Sequence, residues 1–126
     1  WPTTQEISED ISRWIAAGDE IMAIRMMMDG LNRLPYADAT LLAQAMDEPR
    51  TTGDVRWDTL LAAALRYLAH RAGVATLPRW TVKAPLDRFW FPVRANPSKE
   101  YNDMAHTPAE LMRVGIFMDE RGFATA

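Results

Sequence analysis

Apolar residues recur every three to four positions through much of this chain, the period of helices that bury one stripe. Ile7, Ile11, Trp14 and Ile15 form the first stripe. Ahead of it, Thr3 and Glu6 have the spacing of a capping box, in which a hydroxyl and a carboxylate each satisfy a free backbone N–H. Gly18 is placed to end that helix in a left-handed conformation. Asp19 caps a second helix, where Ile21, Ile24, Met28, Leu31 and Leu34 keep the same period until Pro35 stops it. Residues 38–46 form a shorter helix closed by Pro49. The clearest pattern runs from Val55 to Arg71, with Asp54 as N-cap, Gly53 in the turn before it and Gly73 just past its end. Trp57, Leu60, Leu61, Ala64, Leu65 and Leu68 share one face, which predicts the central helix of the core. Arg56, Asp58, Arg66 and Arg71 fall off that face.

Residues 77–97 break the period. Pro78, Pro85, Pro92 and Pro97 each remove an amide donor and restrict the residue before them, so no long helix fits. Trp80, Phe89, Trp90 and Phe91 make the segment too aromatic for a disordered linker. It is expected to wrap over the helices in extended form, with one helical turn around Leu86-Asp87-Arg88-Phe89. Asn96-Pro97 then starts a helix towards His106. Thr107-Pro108-Ala109-Glu110 supplies an N-cap, a proline at the first helical position and a carboxylate at the third. Gly115 ends that short helix, and Gly115 to Met118 is expected to be extended. The pattern predicts an all-α domain of about five or six helices, with the aromatic, proline-spaced segment packed over it.

Composition narrows the picture. The 126 residues fit a single domain spanning 1–126, long enough to bury a core. The absence of cysteine excludes disulfides and thiolate zinc sites and is compatible with a reducing cytoplasm, the expected location. No apolar run reaches the roughly 18 residues a membrane span needs. The opening Trp1-Pro2-Thr3-Thr4 lacks both an initiator methionine and a signal-peptide pattern, so a fragment of a longer protein is expected. The net charge of −3 argues against a wholly basic, nucleic-acid-binding surface. The charge is bipolar, however: residues 1–58 hold 11 acids and 5 bases, and residues 59–126 hold 6 acids and 9 bases. Such a molecule suits charged protein partners.

Chemistry-bearing groups are sparse. Asp103, His106 and Glu110 have metal-ligand chemistry, but Pro108 breaks the helix between them and three or four converging ligands are required. No metal or cofactor is therefore expected. His70 follows Arg66 by four residues on the long helix and is expected at its surface. Asp54 and Asp58, one turn apart, are explained as a cap and a first-turn carboxylate favoured by the macrodipole. No phosphate loop, nucleophile elbow or zinc-binding helix motif occurs. Met22, Met26, Met27 and Met28 cover three sides of one helix, as core filling or as an adaptable binding surface. The bases and aromatics from Arg79 to Arg94 suit either a buried wrap or base stacking.

Several words together carry a resemblance: TGDVRWDTLLAA at residues 52–63, Pro78-Arg79-Trp80, LDRFWFP at 86–92, and Thr107-Pro108-Ala109 with Arg113-Val114-Gly115-Ile116-Phe117. The chain resembles, over residues 15–120, an uncharacterised helical domain of high-GC bacteria. That domain often follows a helix-turn-helix unit in proteins that look like regulators or antitoxins. The resemblance carries over to Gly53, Asp54, Trp57, Asp58, Trp80, Asp87, Arg88, Phe89, Trp90, Phe91, Pro92, Arg113 and Gly115. It attaches no catalytic role to any of them. It implies structural duties for Asp54, Trp57, Trp80, Asp87, Phe89 and Pro92, and a buried ion pair of Asp87 or Asp58 with Arg88 or Arg113. No helix-turn-helix fits before Trp14, so any DNA contact is expected from a preceding domain.

Two functions remain open from the sequence. One is a non-catalytic interaction domain, with a protein partner or self-association, serving a regulator or antitoxin. The alternative is a small ligand-binding or enzymatic domain with a pocket near Arg88 and Trp90, for which Asp58, Arg88, Trp90 and Arg113 are the candidate binding residues, because buried polar groups beside aromatics often mark ligand sites. Direct DNA binding ranks third.

Overall fold

The computed structural model describes residues 1–93 and 96–123. Arg94, the last base of the aromatic wrap, lies outside them. Six α-helices follow in order: α1 (Thr4–Ala16), α2 (Glu20–Asn32), α3 (Ala39–Ala45), α4 (Val55–Arg71), α5 (Pro97–Ala105) and α6 (Ala109–Met112). Short 3-10 turns lie at Arg79–Thr81 and Glu120–Phe123. The fold is all-α. Among the described residues the only β-type pairing is an isolated parallel bridge between Trp90 and Ile116.

The caps form as their side chains predict. Thr3 and Glu6 close a reciprocal capping box on α1, while Asp19, Asp54 and Asn96 each accept a backbone N–H at the start of α2, α4 and α5. Gly18, Gly73 and Gly115 all take positive φ just past a helix end. One cap differs. Pro108, not Thr107, precedes α6, because Thr107 donates its hydroxyl to the Asp103 carbonyl and accepts the Met118 N–H. The expected turn around Leu86 to Phe89 does not form either. The segment's one helical turn is at Arg79–Thr81, where Thr81 N–H and hydroxyl both donate to the Pro78 carbonyl.

Helix α4 is the axis of the molecule, packing against α1, α2, α6 and the Arg79–Thr81 turn. Its burial is wider than the single stripe its period predicts. Trp57 and every residue from Thr59 to Leu65 are buried, and only Arg66 interrupts the run before Tyr67, Leu68 and Ala69. The alanines at 62, 63 and 64 explain this, since side chains of one carbon let neighbours close on the remaining faces.

Of the stripe predicted for α2, Met28, Leu31 and Leu34 stay in the core but Ile21 turns outward. Ile21 is 71% exposed, and the buried line runs through Ala23, Met27, Met28, Gly30, Leu31 and Leu34. The face with the smallest side chains is the one that meets α1. A Cβ built on Gly30 would stand 2.7 Å from Cγ1 of buried Ile7, so glycine is what permits this approach. Met27 and Met28 fill the core, whereas Met22 and Met26 are half-buried.

Hydrogen bonds tie the irregular segments down. On α1, Thr4 donates to the Ala45 and Asp47 carbonyls, Ser8 donates to the Arg50 carbonyl, and Gln5 accepts the Arg50 N–H. The aromatic segment is pinned by Leu86 N–H to the Val114 carbonyl, Trp90 N–H to the Gly115 carbonyl, and Phe117 N–H to the Trp90 carbonyl. Past it, Phe123 is fully buried, edge-on to Tyr67 with centroids 5.3 Å apart. Asp119 is fixed by Arg121 and Asn102, and the Arg121 bonds hold its carboxyl well below the usual range.

Two predictions follow from this packing. Gly30→Ala should lower unfolding free energy in urea by about 1–3 kcal/mol despite alanine's better helix propensity, because Ile7 has no free space to enter. Because the folded pKa of Asp119 is depressed, its contribution is complete above the ordinary carboxylate value of about 4 and is lost as pH falls towards the folded value. Asp119→Asn should therefore flatten the acid limb of the stability-pH curve, measured by thermal melts from about pH 6 down to about pH 2.

Candidate functional site

The residues nominated from sequence do not converge. Trp90 is buried, its ring edge-on to Trp57 at 5.3 Å and covered by the Arg56 guanidinium 4.9 Å from its centroid. That makes it an anchor of the wrap. Arg88 is exposed. Asp58 spends both carboxylate oxygens locally: Oδ1 accepts the Thr52 N–H and hydroxyl, each at 2.7 Å, and Oδ2 accepts the Thr51 hydroxyl. Arg113 lies at the far end of α6, exposed. Among the described residues no ion pair joins Asp87 or Asp58 to Arg88 or Arg113. The charges stay solvated or use neutral partners, which avoids the desolvation cost of burying them.

Of the structural nominees, Asp54 caps α4 and pairs with Arg56 at 3.2 Å, Trp57 is 1% exposed, and Pro92 is buried. Trp80 is half-buried and donates its indole N–H to the Met46 carbonyl at 2.9 Å. Asp87 is exposed. Phe89 departs from its expected place in the core. It is 74% exposed, with its ring edge-on to Phe117 at 5.2 Å and beside Gly115. The chain must return to the core at Trp90, so its neighbour points outward.

Asp103, His106 and Glu110 also go separate ways. Asp103 is buried and paired with Lys99, His106 bonds the Asn102 carbonyl, and Glu110 lies 2.7 Å from His70 Nδ1. Among the described residues no group of three His, Cys, Asp or Glu side chains is arranged to hold a metal ion.

What the fold builds instead is a row of three neighbouring pockets bordering residues 74–83. The first, about 380 Å³, lies between α3 and the segment after α4, walled by Leu42, Ala43, Met46, Val74, Leu77 and Trp80. Trp80 and Glu48 also border the second, a polar pocket of about 210 Å³ beside Ser8, Arg50, Thr51 and Asp58. Lys83 borders both this and the third, a small basic cleft of about 50 Å³ lined by Arg66, Arg113, Thr59, Thr81 and Glu110. Neither Arg88 nor Trp90 lines any of the three. This grooved surface is apolar at one end, polar in the middle and cationic at the other.

The sequence places Lys83 among the bases of the Arg79–Arg94 segment, suited to a wrap or to base stacking, but gives Arg66 no site. The one cue for Arg66 is that it falls off the apolar stripe of α4, which does not say what faces it. Comparison with models of known families, with curated proteins and with solved structures returns no match for this chain.

The geometry makes Asp58 the fastener of the loop before α4. Asp58→Ala strands the Thr52 N–H, while the Thr52 hydroxyl keeps the Asp54 carbonyl as acceptor, and should lower stability in urea by about 1–3 kcal/mol. A residue kept only for a ligand would leave the urea midpoint unchanged.

Proposed function

We propose that this chain is a non-catalytic protein-interaction domain of the kind a regulator or antitoxin uses to hold a protein partner, and that the partner docks in the groove along residues 74–83. The observation that carries this reading is the row of three neighbouring pockets that share wall residues, Trp80 and Glu48 between the first two and Lys83 between the last two. A drug-sized ligand is mostly buried in one concavity; a row of shallow pockets that changes from apolar to cationic matches a peptide segment better. Charge complementarity sets the chemistry of that segment. Apolar side chains lie between α3 and Trp80, and an anionic group lies near Lys83, Arg66 and Arg113. Trp80 suits the role of anchor wall, being aromatic, half-buried and fixed by its N–H bond to Met46, as interface hot spots often are.

Ala43 is exposed on α3 and lines the apolar part, so it can be enlarged without disturbing the core. Co-expression with the product of the adjacent gene should yield a complex that Ala43→Trp weakens by about tenfold or more, the loss of roughly one anchor contact. The variant's melting curve should stay that of the wild type. A chain that remains monomeric and leaves that gene product unbound would sink the reading, as would a complex indifferent to Ala43→Trp.

A further inference from the structure

The cationic end of the groove has a composition that docking alone does not require. We infer that it is a subsite for one phosphoryl group of the monoester class, and this inference stands independently of the protein-interaction reading. Arg66 on α4, Lys83 in the wrap and Arg113 at the end of α6 all line one small cleft, so three basic residues from three elements border it. Among the described residues none of the three is paired with a carboxylate. The single carboxylate in the lining, Glu110, is engaged by His70 at 2.7 Å.

Arg66 is held ready. Its Nη1 donates to the Thr81 hydroxyl at 3.0 Å, and that hydroxyl is itself fixed by donating to the Pro78 carbonyl at 2.7 Å. Thr81 is 1% exposed, so the guanidinium is braced against a buried group. A guanidinium presents five donors in a fixed fork suited to oxyanions, and one of them is used here.

Size and charge select the ligand. A cleft of about 50 Å³ falls far below the several hundred of a whole small-molecule site. It therefore admits one small group at the tip of a ligand. Three cations against one carboxylate leave two positive charges uncompensated. A carboxylate would neutralise one of them, whereas a phosphate monoester, at about −1.5 to −2 near neutral pH, matches both.

Calorimetric titration at low ionic strength tests this with inorganic phosphate, O-phosphoserine and adenosine monophosphate, and with acetate as the carboxylate control. Saturable one-site binding of phosphate, but not of acetate, is expected. Whichever ester binds more tightly identifies the source, a phosphorylated side chain or a nucleotide. Arg113→Gln and Lys83→Gln, both at exposed side chains, should each weaken binding about tenfold with unchanged melting curves, and Glu110→Gln should tighten it. The inference fails if phosphate does not saturate, if acetate binds as well, or if the Arg113 and Lys83 variants bind phosphate like the wild type.

Discussion

The contact between Trp57 and Trp90 joins the two unlike halves of this molecule. Trp57 belongs to a helix whose period can be read locally, and Trp90 to an extended segment with no periodic pattern of its own. Their edge-on packing at 5.3 Å places the second against the first. A buried aromatic pair of this kind adds about 0.5–1.5 kcal/mol to the burial of two large side chains. Around it the backbone of Trp90 is bonded in both directions, to Gly115 and to Phe117, so the wrap and the segment after α6 are immobilised together. Arg56 covers the outer face of Trp90, which shields an otherwise accessible ring without burying the charge.

Elsewhere, short polar side chains hold the connections. Thr4, Gln5 and Ser8 on α1 satisfy backbone groups of residues 45–50, and Asp58 accepts the Thr52 N–H and the Thr51 hydroxyl. A buried backbone group without a partner is costly, so each of these contacts fixes the path of a loop that has little apolar content. The groove borders this pinned loop, and its polar middle contains three of the residues involved: Ser8, Arg50 and Asp58. Its walls are thus well braced, which favours binding by a preformed surface over folding on contact.

Residues with local duties could be recognised individually. Asp54 and Asp19 cap because their carboxylates reach the amides two and three positions on, and Gly18, Gly73 and Gly115 follow helix ends because they tolerate positive φ. Thr107 misled because two partners distant in sequence or outside its turn, Asp103 and Met118, captured its hydroxyl. Ile21 misled because hydrophobicity counted along α2 does not register that Gly30 lets α1 approach on a different side. Asp58, Arg88, Trp90 and Arg113 share the chemistry of a site, and the fold distributes them among the first turn of α4, the solvent, the core and a cleft.

The amino-acid order by itself determined the caps of the longer helices, and that α4 with Trp57 would be buried. These outcomes depend on side chains within four residues of one another, and such contacts form in almost any tertiary setting. Which face of α2 meets α1, which aromatic of the wrap turns inward, and the meeting of Arg66, Lys83 and Arg113 were decided only by the folded whole. Each of those depends on atoms from elements far apart in the chain competing for the same volume, and packing at interior density leaves room for one solution.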